Sequence, residues 1–262
     1  MVEVASPSPI VTMSRKDHLS RTFEAYRAEI DSDNERRERL IILSRSITQL
    51  SKKLIFHLHR GATSSPGARA KMLNDARTKE REIREQFRKV NEVLREDGDD
   101  QGWRWHRQVS PGLEEYIESL SFLHYLEGKG LITLSDVQAA LSDQETGDPW
   151  LVVTPEDYVL GISDLTGELM RYATNALSTG DHETPLSVCR FVRDVKAKFD
   201  RIPPFLIKPL AKKQEETTRS LEKIERVCYA LRLRLLEFAD RPEILRQMAK
   251  RALDEADREE ID

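Results

Sequence analysis

Glycine and proline are absent from three long stretches of this sequence, and their absence is the feature that most constrains the fold. The stretches cover residues 10–60, 68–97 and 210–241. Because these two residues most disfavour a helix interior, the gaps predict long helices. Within the first gap, large aliphatic residues recur at steps of mostly three or four: Leu40, Leu43, Ile47, Leu50, Leu54 and Leu58. This spacing predicts a helix that packs along one side.

The rest of the chain also divides into helices. We predict a second helix to about Leu94, a third after Pro111 and a short one after Thr133. Two more begin at Thr154 and Thr184, where each threonine precedes a proline in a typical start signal. A last long helix covers about 208–240. The sequence therefore predicts an all-α, elongated bundle of about seven helices, in one domain over 14–248. We expect a disordered N-terminal tail over 1–13 and an acidic C-terminal tail over 249–262.

Composition excludes several classes of protein. No stretch approaches 18 apolar residues, so we expect no membrane-spanning segment. The first 13 residues lack a basic segment before an apolar core, which argues against a secretory signal. Cys189 and Cys228 are too few for a disulfide framework, and we expect both to be reduced core thiols.

The distribution of charge is uneven. The whole chain has a net charge of −4, which is unlike a protein that coats nucleic acid. Residues 109–168 contain twelve acidic residues but a single basic one, Lys129. A segment this acidic needs a compensating partner, and bound cations are one candidate.

Two carboxylate pairs within that segment are the strongest candidates for chemistry. Glu115 and Glu118 are three residues apart, and Asp164 and Glu168 are four apart, so each pair lies on one face of its predicted helix. Apolar residues surround both pairs. Four carboxylates near a bundle interior are costly unless they share a cation, and oxygen ligands alone favour Mg²⁺, or alternatively Mn²⁺. Solvated faces of two surface helices would give the same pattern, and the spacing alone leaves both interpretations open.

Other metal and catalytic motifs are missing. No histidine follows a glutamate by three residues, and neither Cys/His zinc spacing nor a phosphate-binding P-loop occurs. We expect His124 to be a packed or hydrogen-bonded histidine rather than a ligand. Gly161 and Gly167 lie inside a predicted helix, where glycine costs about 1 kcal/mol relative to alanine. A close helix crossing explains them best, and substrate access is the alternative.

Two basic clusters are candidates for RNA contact. Residues 103–107 read Trp-Arg-Trp-His-Arg, and aromatic residues between cations can stack on bases and hold phosphates. Tryptophans that anchor a loop would look the same. A second cluster near the end of the first long helix could hold phosphate or could be a solvated helix end; it comprises Lys52, Lys53, His57, His59 and Arg60. From the two clusters we name Lys53, Arg60, His106 and Arg107 as candidate RNA-binding residues.

Several segments resemble the translin superfamily, in particular its translin-associated factor X branch. The most specific block is 153–171, which reads VTPEDYVLGISDLTGELMR. Similar segments are LIILSRSIT at 40–48, GLEEYIE at 112–118 and CYAL at 228–231. The resemblance runs in the same order from about Phe23 to Arg234. The segment between Leu141 and Leu151 is shorter than in animal members, and the basic N-terminal stretch of some members is missing.

The resemblance implies a specific function. Members of this branch are catalytic subunits of a Mg²⁺-dependent endoribonuclease, which assembles with translin into a hollow hetero-octamer and cleaves single-stranded RNA. It implies that Glu115, Glu118 and Asp164 are catalytic metal ligands, with Glu168 as a fourth acid. It also implies roles in RNA silencing, through passenger-strand removal, and in tRNA processing, with cytoplasmic and nuclear localisation.

Two other functions fit the same residues. An all-α nucleoside triphosphate pyrophosphatase also combines Glu-x-x-Glu with a second acidic helix and Mg²⁺, but it hydrolyses free nucleotides. A non-catalytic helical scaffold would use the long helices only to bind partners.

Overall fold

A computed structural model describes residues 15–96 and 102–237, which form seven α-helices and no β-strand. The helices are α1 (Arg15–Ala62), α2 (Pro66–Leu94), α3 (His106–Leu126), α4 (Leu134–Ala140), α5 (Pro155–Ser178), α6 (Glu183–Phe199) and α7 (Leu210–Glu237). Short 3₁₀ turns precede α3 and α7 at Gly102–Trp105 and Pro204–Leu206. The all-α architecture predicted from the sequence is confirmed. The predicted tails at 1–13 and 249–262 lie outside the described residues, as does the predicted end of the last helix.

Helix α1 is the longest element, and its two halves have different surroundings. Its 48 residues span about 72 Å. The second half packs against α2 and α3, where Leu40, Ile47 and Leu54 of the predicted apolar stripe are fully buried. In the first half the apolar side chains are exposed: Leu19, Phe23, Tyr26 and Ile30. One uninterrupted helix therefore supplies both a core element and an uncovered apolar stripe.

Helices α1 and α3 cross closely at Gly112. A Cβ atom there would lie 2.8 Å from the carbonyl oxygen of Ser44, so this position admits only glycine without displacement. The Gly112 amide donates a 3.1 Å hydrogen bond to the Ser44 hydroxyl. Our prediction that this helix begins after Pro111 is wrong, because α3 begins at His106. The contact with Ser44 supports the backbone beside the proline, which interrupts helical hydrogen bonding.

The starts of α4 and α5 are confirmed, and that of α6 needs correction. Thr154 caps α5 and forms a reciprocal capping box with Asp157. Thr184 does not cap α6 as predicted, because the Asp181 carboxylate accepts hydrogen bonds from the amides of Glu183 and Thr184.

Helix α3 lies at the centre of the bundle. It packs against α1 on one side and α5 on the other, and α5 in turn contacts α6 and α7. Tyr116 and Phe122 of α3 and Phe87 of α2 are among the largest fully buried side chains. Cys189 and Cys228 are buried free thiols, as predicted. None of the described helices combines the length and the apolar character needed to cross a membrane.

Candidate functional site

The close approach of α3 and α5 brings the two predicted carboxylate pairs together. A Cβ atom at Gly161 would lie 2.7 Å from the Ile117 side chain and 2.9 Å from the Glu114 carbonyl oxygen. The predicted close crossing at Gly161 is therefore confirmed. At Gly167 it is wrong, since a Cβ atom would meet nothing within 4 Å. Gly167 leaves open space beside Glu168, and its predicted alternative role in substrate access stays a prediction.

Three of the four predicted carboxylates bind basic side chains from other helices. Glu115 pairs with Lys52 of α1 at 3.1 Å. Asp164 accepts a 2.5 Å hydrogen bond from the Lys213 ammonium of α7. These contacts join α1 and α7 to the carboxylates of α3 and α5.

Glu168 is held by two further groups. Its Oε2 atom lies 2.5 Å from His59 Nε2 and 3.2 Å from Arg171 Nη1. The His59 ring packs against the Phe122 ring in a tilted arrangement, with 4.8 Å between centroids, and its Nδ1 atom is buried with no hydrogen-bond partner among the described residues. Because its ring is packed and its side chain is only 10 % exposed, His59 fixes the Glu168 carboxylate.

Glu118 differs from the other three acids. It forms no ion pair or hydrogen bond to any described residue, although Asp164, Glu168 and Glu115 surround it. Burial, together with the negative charges of those three carboxylates, raises the pKa of Glu118 to about 8. The Lys213 charge opposes this shift only weakly. The arrangement concentrates negative charge around one carboxyl group that has no cation of its own.

A fifth acid, Glu114, belongs to the same region and was missed in the sequence analysis. Burial raises its pKa; a hydrogen bond from Ser110 opposes the shift, and the charges of Asp157 and Asp164 add to it. The sequence did contain a signal, since Glu114 lies four residues before Glu118 and therefore shares its helix face. The basic partners His59 and Lys213 were not identified as such either, because 109 and 49 residues separate them from their acids.

Metal binding by these acids can be tested against their chemistry. All candidate donors are carboxylate oxygens, which suits a hard divalent cation, and Glu118 has no basic partner among the described residues. Within 15–96 and 102–237, however, no three His, Cys, Asp or Glu side chains are grouped closely enough to hold an ion. The ammonium groups of Lys52 and Lys213 instead neutralise Glu115 and Asp164. The residues fit a divalent cation in type and charge, provided that the cation takes the place of these lysines.

The candidate RNA-binding residues do not form one surface. His106 lies 2.7 Å from the buried carboxylate of Asp157, and the hydrogen bond to Asp157 raises its pKa, an effect that burial opposes. Arg107 is exposed and lines a groove between α1 and α3. Lys53 and Arg60 are exposed on α1, where Arg60 lies over the Phe56 ring. Their RNA-binding roles stay predictions.

The other side chains around the two basic clusters also differ in their surroundings. Trp105 is buried and stacks with Arg36 and Arg104, so it anchors this segment. Trp103 is 80 % exposed, and its ring stacks on no described residue. His124 contacts the Gly130 carbonyl oxygen through Nδ1 at 3.1 Å, as expected for a hydrogen-bonded histidine.

Comparison with known proteins gives one consistent result. The sequence pattern of the Translin family matches residues 35–235. Translin-associated protein X of Rattus norvegicus is 36 % identical over 230 residues, which cover 81 % of this chain and 78 % of the rat protein. The homologue of Schizosaccharomyces pombe is 26 % identical over 82 % of this chain and 89 % of its own.

The fold is also found among solved structures. The structure of AfC3PO in complex with duplex RNA superposes with a TM-score of 0.62, at 20 % sequence identity, over 82 % of this chain and 98 % of that one. At this level of identity the likeness concerns the helical fold alone.

Proposed function

This chain belongs to the translin family, and we propose that it is the catalytic subunit of a metal-dependent endoribonuclease that cleaves single-stranded RNA together with translin. The observation that carries the proposal is the set of acids on α3 and α5, with Glu118 unpaired at its centre. An ordinary solvated helix face would leave each acid exposed to water. Here Glu118 is largely buried among carboxylates, so its ionised form is unfavourable unless a cation binds.

Mg²⁺, with Mn²⁺ as a substitute, is the cofactor that we propose for these acids. Glu115, Glu118 and Asp164 would hold the ion, while His59 keeps Glu168 beside it to complete the shell or to orient water. When bound, such an ion lowers the pKa of water and offsets the charge of a reacting phosphodiester. Glu118 must lose its proton to become a ligand, so binding near neutral pH releases protons.

The protein side chains would divide the remaining tasks. Lys52 and Lys213 are close enough to the acids to exchange their carboxylate contacts for contacts with RNA phosphates once a cation is present. His59 fixes the direction of Glu168, because its ring is packed against Phe122. The open space beside Gly167 would allow the RNA backbone to approach Glu168.

Translin is the partner that we propose for this subunit, in a hetero-octameric shell. The exposed apolar stripe on the first half of α1 supports association with another protein, since large apolar patches mark interaction sites. A chain with a net charge of −4 attracts RNA poorly alone, and a partner could supply basic surface. The same proposal includes a role for the complex in RNA silencing and tRNA processing, in the cytoplasm and nucleus.

A cleavage assay tests this function directly. The full-length chain is co-expressed with translin, and the complex is incubated with labelled single-stranded RNA in Mg²⁺ or in EDTA. We expect internal cleavage in Mg²⁺ and none in EDTA, with Mn²⁺ restoring activity after chelation.

Three outcomes would contradict the proposal. Undiminished cleavage in EDTA would remove the metal from the reaction. Hydrolysis of free nucleoside triphosphates without RNA cleavage would identify a pyrophosphatase instead. A stable complex that turns over neither substrate in Mg²⁺ or Mn²⁺ would indicate a scaffold.

A further inference from the structure

A groove of about 440 Å³ lies between α1 and α3, next to the carboxylate site but separate from it. The α1 side supplies Arg37, Ile41, Ser44, Arg45 and Thr48, and the α3 side supplies Arg107, Gln108 and Pro111. Its lining includes three arginines and no acidic residue. In a chain with more acidic than basic residues, such a concentration of positive charge is unexpected and indicates an anionic ligand.

The three arginines of this groove have no acidic partner among the described residues. Other arginines nearby do: Arg39 binds Glu96, and Arg104 binds Asp33. Arg37, Arg45 and Arg107 therefore keep their guanidinium donors available, and their mutual repulsion would fall if an anion bound between them.

Gln108 provides a second, independent observation. Its side-chain oxygen is buried and has no hydrogen-bond partner among the described residues. A buried amide oxygen without a partner costs about 1–3 kcal/mol, so a polar ligand that donates a hydrogen bond to it would relieve that cost. Because the amide can present either its oxygen or its N–H groups, it can bind a phosphate oxygen or a sugar hydroxyl.

The groove also points towards the carboxylates. Helices α1 and α3 run parallel here, since Ser44 contacts Gly112 and His59 contacts Phe122 further along both helices. Thr48 lies one turn before Lys52 on α1, and Pro111 lies one turn before Glu115 on α3. Arg107 is eight residues before Glu115, a distance of about 12 Å along the helix.

We propose that this groove binds a phosphodiester of the RNA strand beyond the scissile bond, so that the strand follows the α1–α3 seam from Arg37, Arg45 and Arg107 to Glu118. The inference rests on the proposed ribonuclease function and adds the path of the substrate. Arginine forks recognise phosphate through paired hydrogen bonds, and contacts to the backbone position a strand without reading its sequence.

Binding without cleavage tests the groove separately from catalysis. The full-length chain with Asp164→Asn is co-purified with translin, and its affinity for labelled single-stranded RNA is measured over a range of salt concentrations. Adding Arg45→Ala or Arg107→Ala should raise Kd about five- to tenfold and lower the salt slope by about 0.7 for each charge. Arg88→Ala is the matched control, because this exposed arginine on α2 already pairs with Glu85. Circular dichroism checks that each variant is folded.

The outcomes separate the groove from the proposed function. If the groove variants bind RNA as the Arg88→Ala variant does, the groove proposal is wrong even if the wild-type complex cleaves RNA. If the groove variants weaken RNA binding while the wild-type complex does not cleave RNA, the groove proposal is supported and the proposed ribonuclease function is wrong. Loss of the complex with translin at unchanged RNA affinity would overturn the proposal and assign the groove to a protein partner.

Discussion

Two acids at the α3–α5 interface, Asp157 and Glu118, have opposite environments. Asp157, at the start of α5, accepts hydrogen bonds from the side chains of His106, Ser110 and Thr154 at 2.7, 2.6 and 2.5 Å. Burial raises the pKa of Asp157, but these hydrogen bonds outweigh burial and lower it below its usual value. Glu118 has no such donors, and burial together with the neighbouring carboxylates raises its pKa to about 8.

The difference shows how a structural acid can be told from a candidate functional one. Both side chains lie at the α3–α5 interface. The fold supplies Asp157 with three donors, so its charge is compensated within the chain. It supplies Glu118 with further carboxylates, so compensation must come from outside. The comparison predicts that changes at Asp157 affect folding, whereas changes around Glu118 affect activity.

The largest expected effect is the loss of cleavage in Asp164→Asn. Replacing this carboxylate removes a charge from the proposed metal site while preserving the shape of the side chain. We expect the cleavage rate to fall by about a thousandfold or more, with assembly and RNA binding retained. Single-turnover cleavage of single-stranded RNA measures the rate. Asp194→Asn, at an exposed position of α6, is the control. Wild-type activity in Asp164→Asn would end the catalytic assignment.

A large loss of stability is expected for Asp157→Ala. The substitution removes the α5 capping box and leaves His106 and Ser110 without their acceptor. We expect the free energy of unfolding to fall by about 3 kcal/mol, measured by denaturant titration. Asp194→Ala should stay within about 0.5 kcal/mol of wild type. Equal effects of the two substitutions would show that the network around Asp157 is not structural.

Glu118→Gln should make the chain more stable than wild type at high pH. Because the folded pKa of Glu118 lies above its unfolded value of 4.5, the carboxyl destabilises the fold progressively between about pH 5 and pH 8. We expect the variant to gain about 2 kcal/mol over wild type at pH 8 without metal. Melting in Mg²⁺ should close part of this gap by stabilising the wild type. If the free energy of unfolding has the same pH dependence in the two proteins, the proposed destabilisation by ionised Glu118 is wrong.

The smallest expected effect is the pH dependence of His106→Gln. The Asp157 hydrogen bond raises the folded pKa of His106 above its unfolded value of 6.5. Its stabilisation is therefore complete below that value and is lost as pH rises through the folded pKa. We expect the substitution to lower the free energy of unfolding by about 1 kcal/mol near pH 6 and by less near pH 9. RNA affinity distinguishes this role from the predicted RNA contact: a large loss of affinity at unchanged stability would favour RNA binding.

Local sequence patterns predicted most helices because their causes lie within a few residues. The Thr154 capping box is complete within four residues, and the stripe from Leu40 to Leu58 follows from helical periodicity alone. The prediction failed at Pro111, where Ser44, 68 residues before Gly112, supports the helix. It failed at Thr184 because a neighbouring aspartate competes for the same amides.

The sequence alone determined the helical class, the acidic segment and the identity of the four candidate carboxylates, because residue type and spacing carry that information. Tertiary structure decided which acid remains without a partner. Helix packing brings His59 to Glu168 and Lys213 to Asp164, and it leaves Glu118 buried among like charges. A pKa depends on burial and on charges from distant segments, and neither is local in sequence. The same packing joins Arg37, Arg45 and Arg107 in one groove, although 70 residues separate the first from the last.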